Sequence, residues 1–435
     1  MSMRRRRRER AVTAERTSKL VPRLNRRAWT LLVANCLSNA GSGLVLPFLI
    51  VYLHKVRGIE LGQAGLALSL IGFAGIVATP FAGALADRIG ARRTFAVGLV
   101  LFAVAIPSFI PVSTFAEALA PAFVYGVAGG MTWSGLYSLL GEIVAPEERA
   151  DAFGISYALA NVGIGTGALI AGFAIDVHSP HSFVVLFVAD AISDLLFAGV
   201  LLSLGEGREA AAEPEPAADP PVADPPVQRS YRAVLSDRAL LGTFALNMLL
   251  VTIGTAQLTS AFPAWATGPA KVGTSTVGAA FAANTATVVV AQLFVLRIVR
   301  RTRRTRAAGT AGLIFGLAWL IVLGGGHAGG GVAAAVALIA ALGIFGLGET
   351  FLSPSLPAIV NDIAPDELRG RYNAVFTLSW QIGPVIGPAL AGAALGHGRG
   401  DAYLVALAAA CCACTLLARL LPRIVPAEAN VPSPA

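Results

Sequence analysis

Charge is what this sequence lacks most. Of 435 residues only 13% are charged, whereas 55% are hydrophobic and the mean hydropathy is +0.70. Soluble domains carry roughly 25% charged residues, so a chain this apolar cannot cover its surface in water and belongs in lipid. Cysteine is nearly absent too. Cys36, Cys411, Cys412 and Cys414 fall inside apolar runs, without the spacing of a disulfide framework or a metal site, and read as small apolar side chains. A nucleotide loop is also missing. Gly268-Pro-Ala-Lys-Val-Gly273-Thr-Ser has phosphate-loop spacing but no lysine after its second glycine. With no cofactor and no nucleotide site, any work must be driven by an ion gradient, a proton gradient first of all, or by the substrate's own gradient.

What the sequence has in abundance is length without charge. Apolar runs long enough to cross a ~30 Å hydrocarbon core fall at 28–53, 62–86, 94–112, 116–143, 151–176, 182–204, 239–266, 273–299, 308–325, 331–360, 371–396 and 402–421. These are spans 1 to 12. Their even number puts both chain ends on one side. Of the 33 lysines and arginines, the loops of the other side hold only Lys55, Arg57, Lys271 and Arg399. That asymmetry places both termini in the cytoplasm. It also accounts for the net charge of +8 as topology, with no nucleic-acid partner implied. The five histidines, His54, His178, His181, His327 and His397, fall in or beside the outward loops. The arginine run at 4–8 precedes a full-length apolar run, so residues 1–27 read as a basic cytoplasmic tail beside anionic headgroups and not as an export signal.

The chain divides in two. Residues 205–235 are rich in proline and acidic side chains and read as a disordered cytoplasmic linker. It separates an N-terminal six-helix bundle (28–204) from a C-terminal one (236–421), which is followed by a short tail (422–435). The halves repeat at an offset near 220: Gly163-Ile-Gly-Thr-Gly167-Ala-Leu-Ile-Ala-Gly172 aligns with Gly383-Pro-Val-Ile-Gly387-Pro-Ala-Leu-Ala-Gly392. Corresponding spans run the same way, a parallel repeat about an axis along the membrane normal. The expected fold is all-α: two six-helix bundles enclosing a cavity that opens to either side in turn.

Three motifs sharpen this. Between spans 2 and 3 stands Gly83-Ala-Leu-Ala-Asp87-Arg88-Ile-Gly90-Ala91-Arg92-Arg93. Gly90 supplies the positive φ of a short turn, and Gly83 leaves room for a neighbouring helix. The pattern resembles the cytoplasmic signature of the major facilitator superfamily, with Ala91 where that signature often has a base. The resemblance implies that Gly83, Asp87, Arg88, Gly90, Arg92 and Arg93, with Glu142 and Arg149 at neighbouring helix ends, act as a gate whose charge pairs hold the outward-facing state. The bland alternative is a set of topology-setting surface charges. In span 5, Gly163, Gly167 and Gly172 resemble the superfamily's antiporter signature, which implies export. Ala168 and Ala171 depart from it, while Gly387, Pro388 and Gly392 of span 11 keep the proline. The alternative is small-residue packing. The arginine that such exporters often carry in span 4 is missing from Tyr125-Gly126-Val-Ala-Gly129-Gly130.

Ionisable groups within the spans are few. Glu349 lies mid-span, five residues before Pro354, where a lone carboxylate is costly enough to be protonated or paired. It is the leading proton-coupling candidate, against a neutral acid bonded between helices. Asp190 and Asp194, one turn apart on span 6, are second candidates, with a structural hydrogen-bonding role favoured for them. Asn35 and Asn39, Trp133 and Tyr137, Gln257, and Trp380 with Gln381 beside Thr377 are candidate cavity contacts. Amides and aromatics of this kind suit an amphipathic organic substrate. No catalytic or metal-binding cluster stands in the spans and no folded domain is appended, which argues against an enzyme or a sensor. The reading is a monomeric secondary transporter of the bacterial plasma membrane, a proton-coupled exporter of drug-like or metabolite-like molecules. The alternative is an exporter or uniporter of a polar solute such as a sugar or amino acid.

Overall fold

The computed structural model describes residues 24–133, 135–145, 148–204, 231–299 and 301–431. The basic tail before residue 24, most of the expected linker and the last four residues lie outside the described residues.

Twelve helical spans follow in order. They are span 1 (Arg26–Val56), 2 (Leu61–Ile89), 3 (Ala91–Phe109), 4 (Phe115–Thr132 and Gly135–Ile143), 5 (Arg149–Ala174) and 6 (Pro180–Ser203). The second half holds span 7 (Arg238–Thr267), 8 (Thr274–Val299), 9 (Arg304–His327), 10 (Gly331–Leu352, then Leu356–Ile363), 11 (Arg369–Gly396) and 12 (Gly400–Leu420). Eleven are long and apolar enough to cross a bilayer, and span 4, described in two pieces on either side of residue 134, is the twelfth. No strand occurs among the described residues. Side-chain caps begin several spans. The Asn25 side chain accepts from the Ala28 amide, Thr114 from that of Glu117, and Asp237 from those of Ala239 and Leu240, each satisfying donors that a helix start leaves free.

The packing repeats with the sequence. Spans 1 and 5, 1 and 6, 2 and 4, 3 and 4, and 3 and 6 pack together in the first half. Spans 7 and 11, 7 and 12, 8 and 10, 9 and 10, and 9 and 12 do so in the second. Between the halves, spans 2 and 11 mirror spans 8 and 5. Large apolar side chains such as Phe81, Leu196 and Phe294 stay exposed along the spans, as expected where the solvent is lipid.

Two expected boundaries change. Residues 231–235 are not a disordered linker: Tyr231–Val234 forms a helical turn, Val234 is fully buried, and the Arg371 guanidinium lies over the Tyr231 ring. The C-terminal segment is no free tail either. Ala427–Asn430 is a helical turn whose Asn430 side chain accepts from the Thr305 amide, while Arg304 donates to Ala429 O and to Asp362. These contacts satisfy backbone groups at the start of span 9, which its own helix cannot.

Candidate functional site

Glycine decides how the spans meet. In span 5, a Cβ at Gly163 would sit 2.4 Å from Cys36 O, and one at Gly167 1.9 Å from Ala40 O, both on span 1. One at Gly172 would meet span 8, 2.8 Å from Thr274 O. Span 11 repeats the arrangement. Gly387 abuts Ala256 and Gln257 of span 7, Gly392 abuts Leu61 and Gly65 of span 2, and Pro388 O lies against Gly65. In each half the first glycines seat the span within its own bundle, and the last presses it on the other half.

Among the described residues, the hydrogen bonds that join the halves fall between mid-membrane and one side. Call the side that holds both described chain ends the terminal side and the opposite one distal. Thr274 Oγ1 donates to Ile175 O (3.2 Å), Thr285 Oγ1 to Asn161 O (3.3 Å), the Ala389 amide to Ser69 Oγ (2.9 Å), and Lys55 Nζ to Thr267 O. Three of these bonds lie in the distal half of their spans, and the one between Thr285 and Asn161 lies at mid-span. Beside them is a distal vestibule of about 420 Å³, lined by His54, Lys55, Leu61, Trp265, Leu395 and Asp401 among others. His327 Nε2 lies 3.2 Å from Asp401 Oδ1 at its rim. Toward the terminal side, a Cβ at Gly83, Gly154 or Gly370 would meet nothing within 4 Å, and Tyr157 and Val290 are exposed. The chain is therefore closed distally and parted on the terminal side.

This state decides how the loop motif looks. Gly90 has φ +90°, as its turn requires. Gly83, expected to receive a neighbouring helix, has none against it here, because the halves are apart at this level. Asp87 and Arg88 are exposed, Arg149 likewise, and Asp87 has no ion-pair partner among the described residues. Arg92 buries one guanidinium nitrogen without a partner. The Glu142 side chain lies outside what the structure describes, as does that of Tyr137.

Glu349 is partly buried on span 10, and its Oε2 accepts from Asn284 Nδ2 of span 8 at 2.8 Å. The same amide also donates to Leu342 O at 3.3 Å. Gly346 makes this approach possible, since a Cβ there would sit 2.6 Å from Asn284 O. One turn further on, the helix breaks at residues 353–355, the bend expected at Pro354. No cation pairs with Glu349 among the described residues. Asn284 was missed in the sequence, where its signal is one of two amides, with Gln292, in an apolar run. Asp190 and Asp194 are both buried, 1% and 3% exposed, and Ser38 Oγ donates to Asp194 Oδ1 at 2.6 Å. Asp190 Oδ1, by contrast, is buried without a hydrogen-bond partner.

The candidate cavity contacts separate. Asn39 donates to Asn35 O at 2.8 Å and to its Oδ1 at 3.1 Å, so those two do share a face. Gln381 is partly buried, its Oε1 unpartnered, next to partly buried Trp380. Trp133 is exposed. Gln257 is corrected: fully buried in a 3₁₀ break of span 7, it donates to Thr252 O (2.8 Å) and accepts from Tyr403 Oη (3.0 Å). With both ends of its amide bonded to protein it braces the break and offers nothing to a ligand. No cluster able to hold a metal ion occurs among the described residues.

The family model described as Major Facilitator Superfamily matches residues 31–340 and 270–435. The quinolone resistance protein NorA of Staphylococcus aureus is 31% identical over 157 residues, 36% of this chain and 39% of NorA. The chain thus matches about two fifths of that relative's length. The uncharacterized MFS-type transporter YqjV of Bacillus subtilis (strain 168) is 22% identical over 362 residues, 82% of this chain and 84% of YqjV. Among solved structures, a peptide transporter POT in complex with sulfate superposes with TM-score 0.72 at 17% identity, over 93% of this chain and 96% of that one. A bacterial homolog to the human lysosomal transporter Spinster does so with TM-score 0.68 at 13% identity, over 94% and 98%. These structural likenesses show the fold.

Proposed function

The chain belongs to the major facilitator superfamily, and we propose that it is a proton-coupled exporter of drug-like or metabolite-like small molecules, acting by alternating access. Membership makes it a transporter of the membrane and not an enzyme. The observation that carries the finer reading is Glu349: a carboxyl on span 10, partly buried, held by one amide and no cation. A group so placed exchanges a proton with less reorganisation than an ion pair would need. The partial match to NorA, a quinolone resistance protein, supports drug-like cargo.

In this reading the terminal side is the cytoplasm of a bacterium, as the arginine distribution supports, and the monomer suffices because one chain supplies both bundles. The closed distal contacts then make this the inward-open state. Substrate enters while Glu349 is deprotonated. The halves rock about the glycine faces of spans 5 and 11, so that Gly83, Asp87, Arg88, Arg92 and Arg93 close on Glu142 and Arg149. A proton entering from outside reaches Glu349, substrate leaves, and the protonated carrier returns. Asn35, Asn39, Trp133, Tyr137, Trp380 and Gln381 are the contacts offered to the cargo. The amides among them favour a second reading, a polar solute as cargo.

The test is proton release from acidified inverted vesicles when a panel of amphipathic drugs is added, wild type against Glu349→Gln. Substrate-triggered release that vanishes in the variant supports the reading. An unaltered response in the variant removes Glu349 from the mechanism, and silence across the panel turns the search to polar solutes.

A further inference from the structure

The N-terminal bundle holds an unbalanced group that the cycle above does not use. Asp190 and Asp194 lie one turn apart on span 6, about 15 Å and about 21 Å along the helix from Pro180 at 1.5 Å per residue. Both are therefore deep in the membrane, and their carboxyls are close enough to interact electrostatically. Among the described residues these four carboxyl oxygens meet one side-chain donor, Ser38 Oγ, 2.6 Å from Asp194 Oδ1. Ser193 Oγ, the nearest other hydroxyl on span 6, donates instead to Asp190 O at 2.8 Å. Tyr125 of span 4 lies within electrostatic reach of both acids, with its hydroxyl bonded to Ser42. Asp190 Oδ1 is left buried and without a donor. An unpaired charge at such a place is among the costliest arrangements a protein can hold.

No base relieves it. Span 6 packs against spans 1 and 3. The charged groups of span 1 are Arg26 and Arg27 in its first turn, and His54 and Lys55 at its distal end. Those of span 3 are Arg92 and Arg93 in its first turn. Span 4 brings Tyr125 to the acids and keeps Glu117 at its distal start, and span 6 itself adds only His181 beside Pro180. Arg27 is eleven residues from Ser38, about 16 Å along the helix. The free oxygen also has little room. A Cβ at Gly41 would sit 2.4 Å from Asp190 Oδ1 and 2.2 Å from Ser193 Oγ, so the span 1 backbone lies against it. A metal cation needs a shell of several oxygens, whereas a proton needs a single carboxyl oxygen.

We propose that Asp190 and Asp194, with Ser38 and Tyr125, form a second proton site, contained within the N-terminal bundle and independent of Glu349. The proton is held as the O–H of one carboxyl while the other stands as a carboxylate one turn along the helix, Asp194 already accepting from Ser38 Oγ. On release the proton passes to water, and on loading it comes from water, with no bond between heavy atoms made or broken. The site rests on the reading of the chain as a proton-coupled carrier only for its use. Its existence follows from the bundle's interior.

The full-length protein in lipid nanodiscs is titrated from mildly acidic to mildly alkaline buffer by infrared difference spectroscopy, in a Glu349→Gln background. A protonated-carboxyl stretch that titrates is expected there, with near-complete loss after Asp190→Asn or Asp194→Asn. Ser38→Ala keeps both carboxyls and removes only the donor, so it should shift the band and not abolish it. A Glu349→Gln protein with no titrating band overturns the proposal, as does a band that Ser38→Ala leaves in place. A band that responds to sodium at constant pH and ionic strength also overturns it, in favour of a metal cation. If vesicles show no proton coupling while the band titrates as expected, the export reading fails and the site stands.

Discussion

The two bundles are built alike and charged differently. Spans 5 and 11 present the same glycine face at the same offset, and each presses on the first span of its own half and on a span of the other. Their acids do not follow the repeat. The carboxyl of the second half stands on span 10, bonded by an amide of span 8. The carboxyls of the first half stand on span 6, bonded by a hydroxyl of span 1. At the places that correspond to Asp190 and Asp194, span 12 has Ala410 and Cys414. There Thr415 Oγ1 simply donates to Gly309 O at 2.9 Å. The lesson is that backbone approach follows the repeat, because a close approach between helices needs a small residue at the same place in each bundle. Chemistry needs no symmetry and was placed in each half separately.

The comparison breaks hardest at the glycines. Gly167→Val drives a side chain into Ala40 O, which is backbone and cannot move aside. It should cost at least the ~1–3 kcal/mol of an overpacked core. Gly387→Val meets mainly the Ala256 and Gln257 side chains, 2.8 Å and 3.0 Å from the added Cβ, and should cost less. Thermal unfolding in detergent reads both, and equal losses would deny that the first half is the tighter. Next come the acids' partners. Asn284→Ala leaves the Glu349 carboxyl without its donor, a change of about 1–3 kcal/mol, and should impair substrate-driven proton release. Thr415→Ala, in the uncharged counterpart region, should leave that release alone.

Smaller effects test the distal closure. Lys55→Met removes its bond to Thr267 O, worth about 0.5–1.5 kcal/mol. It should raise the population of distally open molecules several-fold, seen as a longer spin-label distance across the vestibule. The smallest change in stability belongs to Gly83→Ala, which meets nothing in this state and should alter stability by no more than about 0.5 kcal/mol. If the halves do close around Gly83, the same variant slows transport. Unchanged transport would make the loop motif a mere surface.

Much of this was legible beforehand because lipid leaves little choice. A backbone in hydrocarbon must bond to itself, so a long apolar run is a helix, and twelve such runs determined the number of spans, while their arginines gave an expected orientation. Gly90 could be assigned its turn because no other residue adopts that φ readily, and the glycine repeat declared the two halves. Partnerships were not legible. Asn284 with Glu349, Ser38 with Asp194, and Gln257 with Tyr403 join residues 65 to 156 positions apart, and periodicity within one span says nothing of which face another span will meet. The folding of 231–234 and 427–430 against neighbouring spans escaped for the same reason: short polar segments take their order from what they touch. The sequence by itself determined the number of the spans, because the bilayer imposes that term on each run separately. Only tertiary structure decided which acid has a partner and which has none, because a hydrogen bond is settled by ångströms between elements that the chain sequence does not relate.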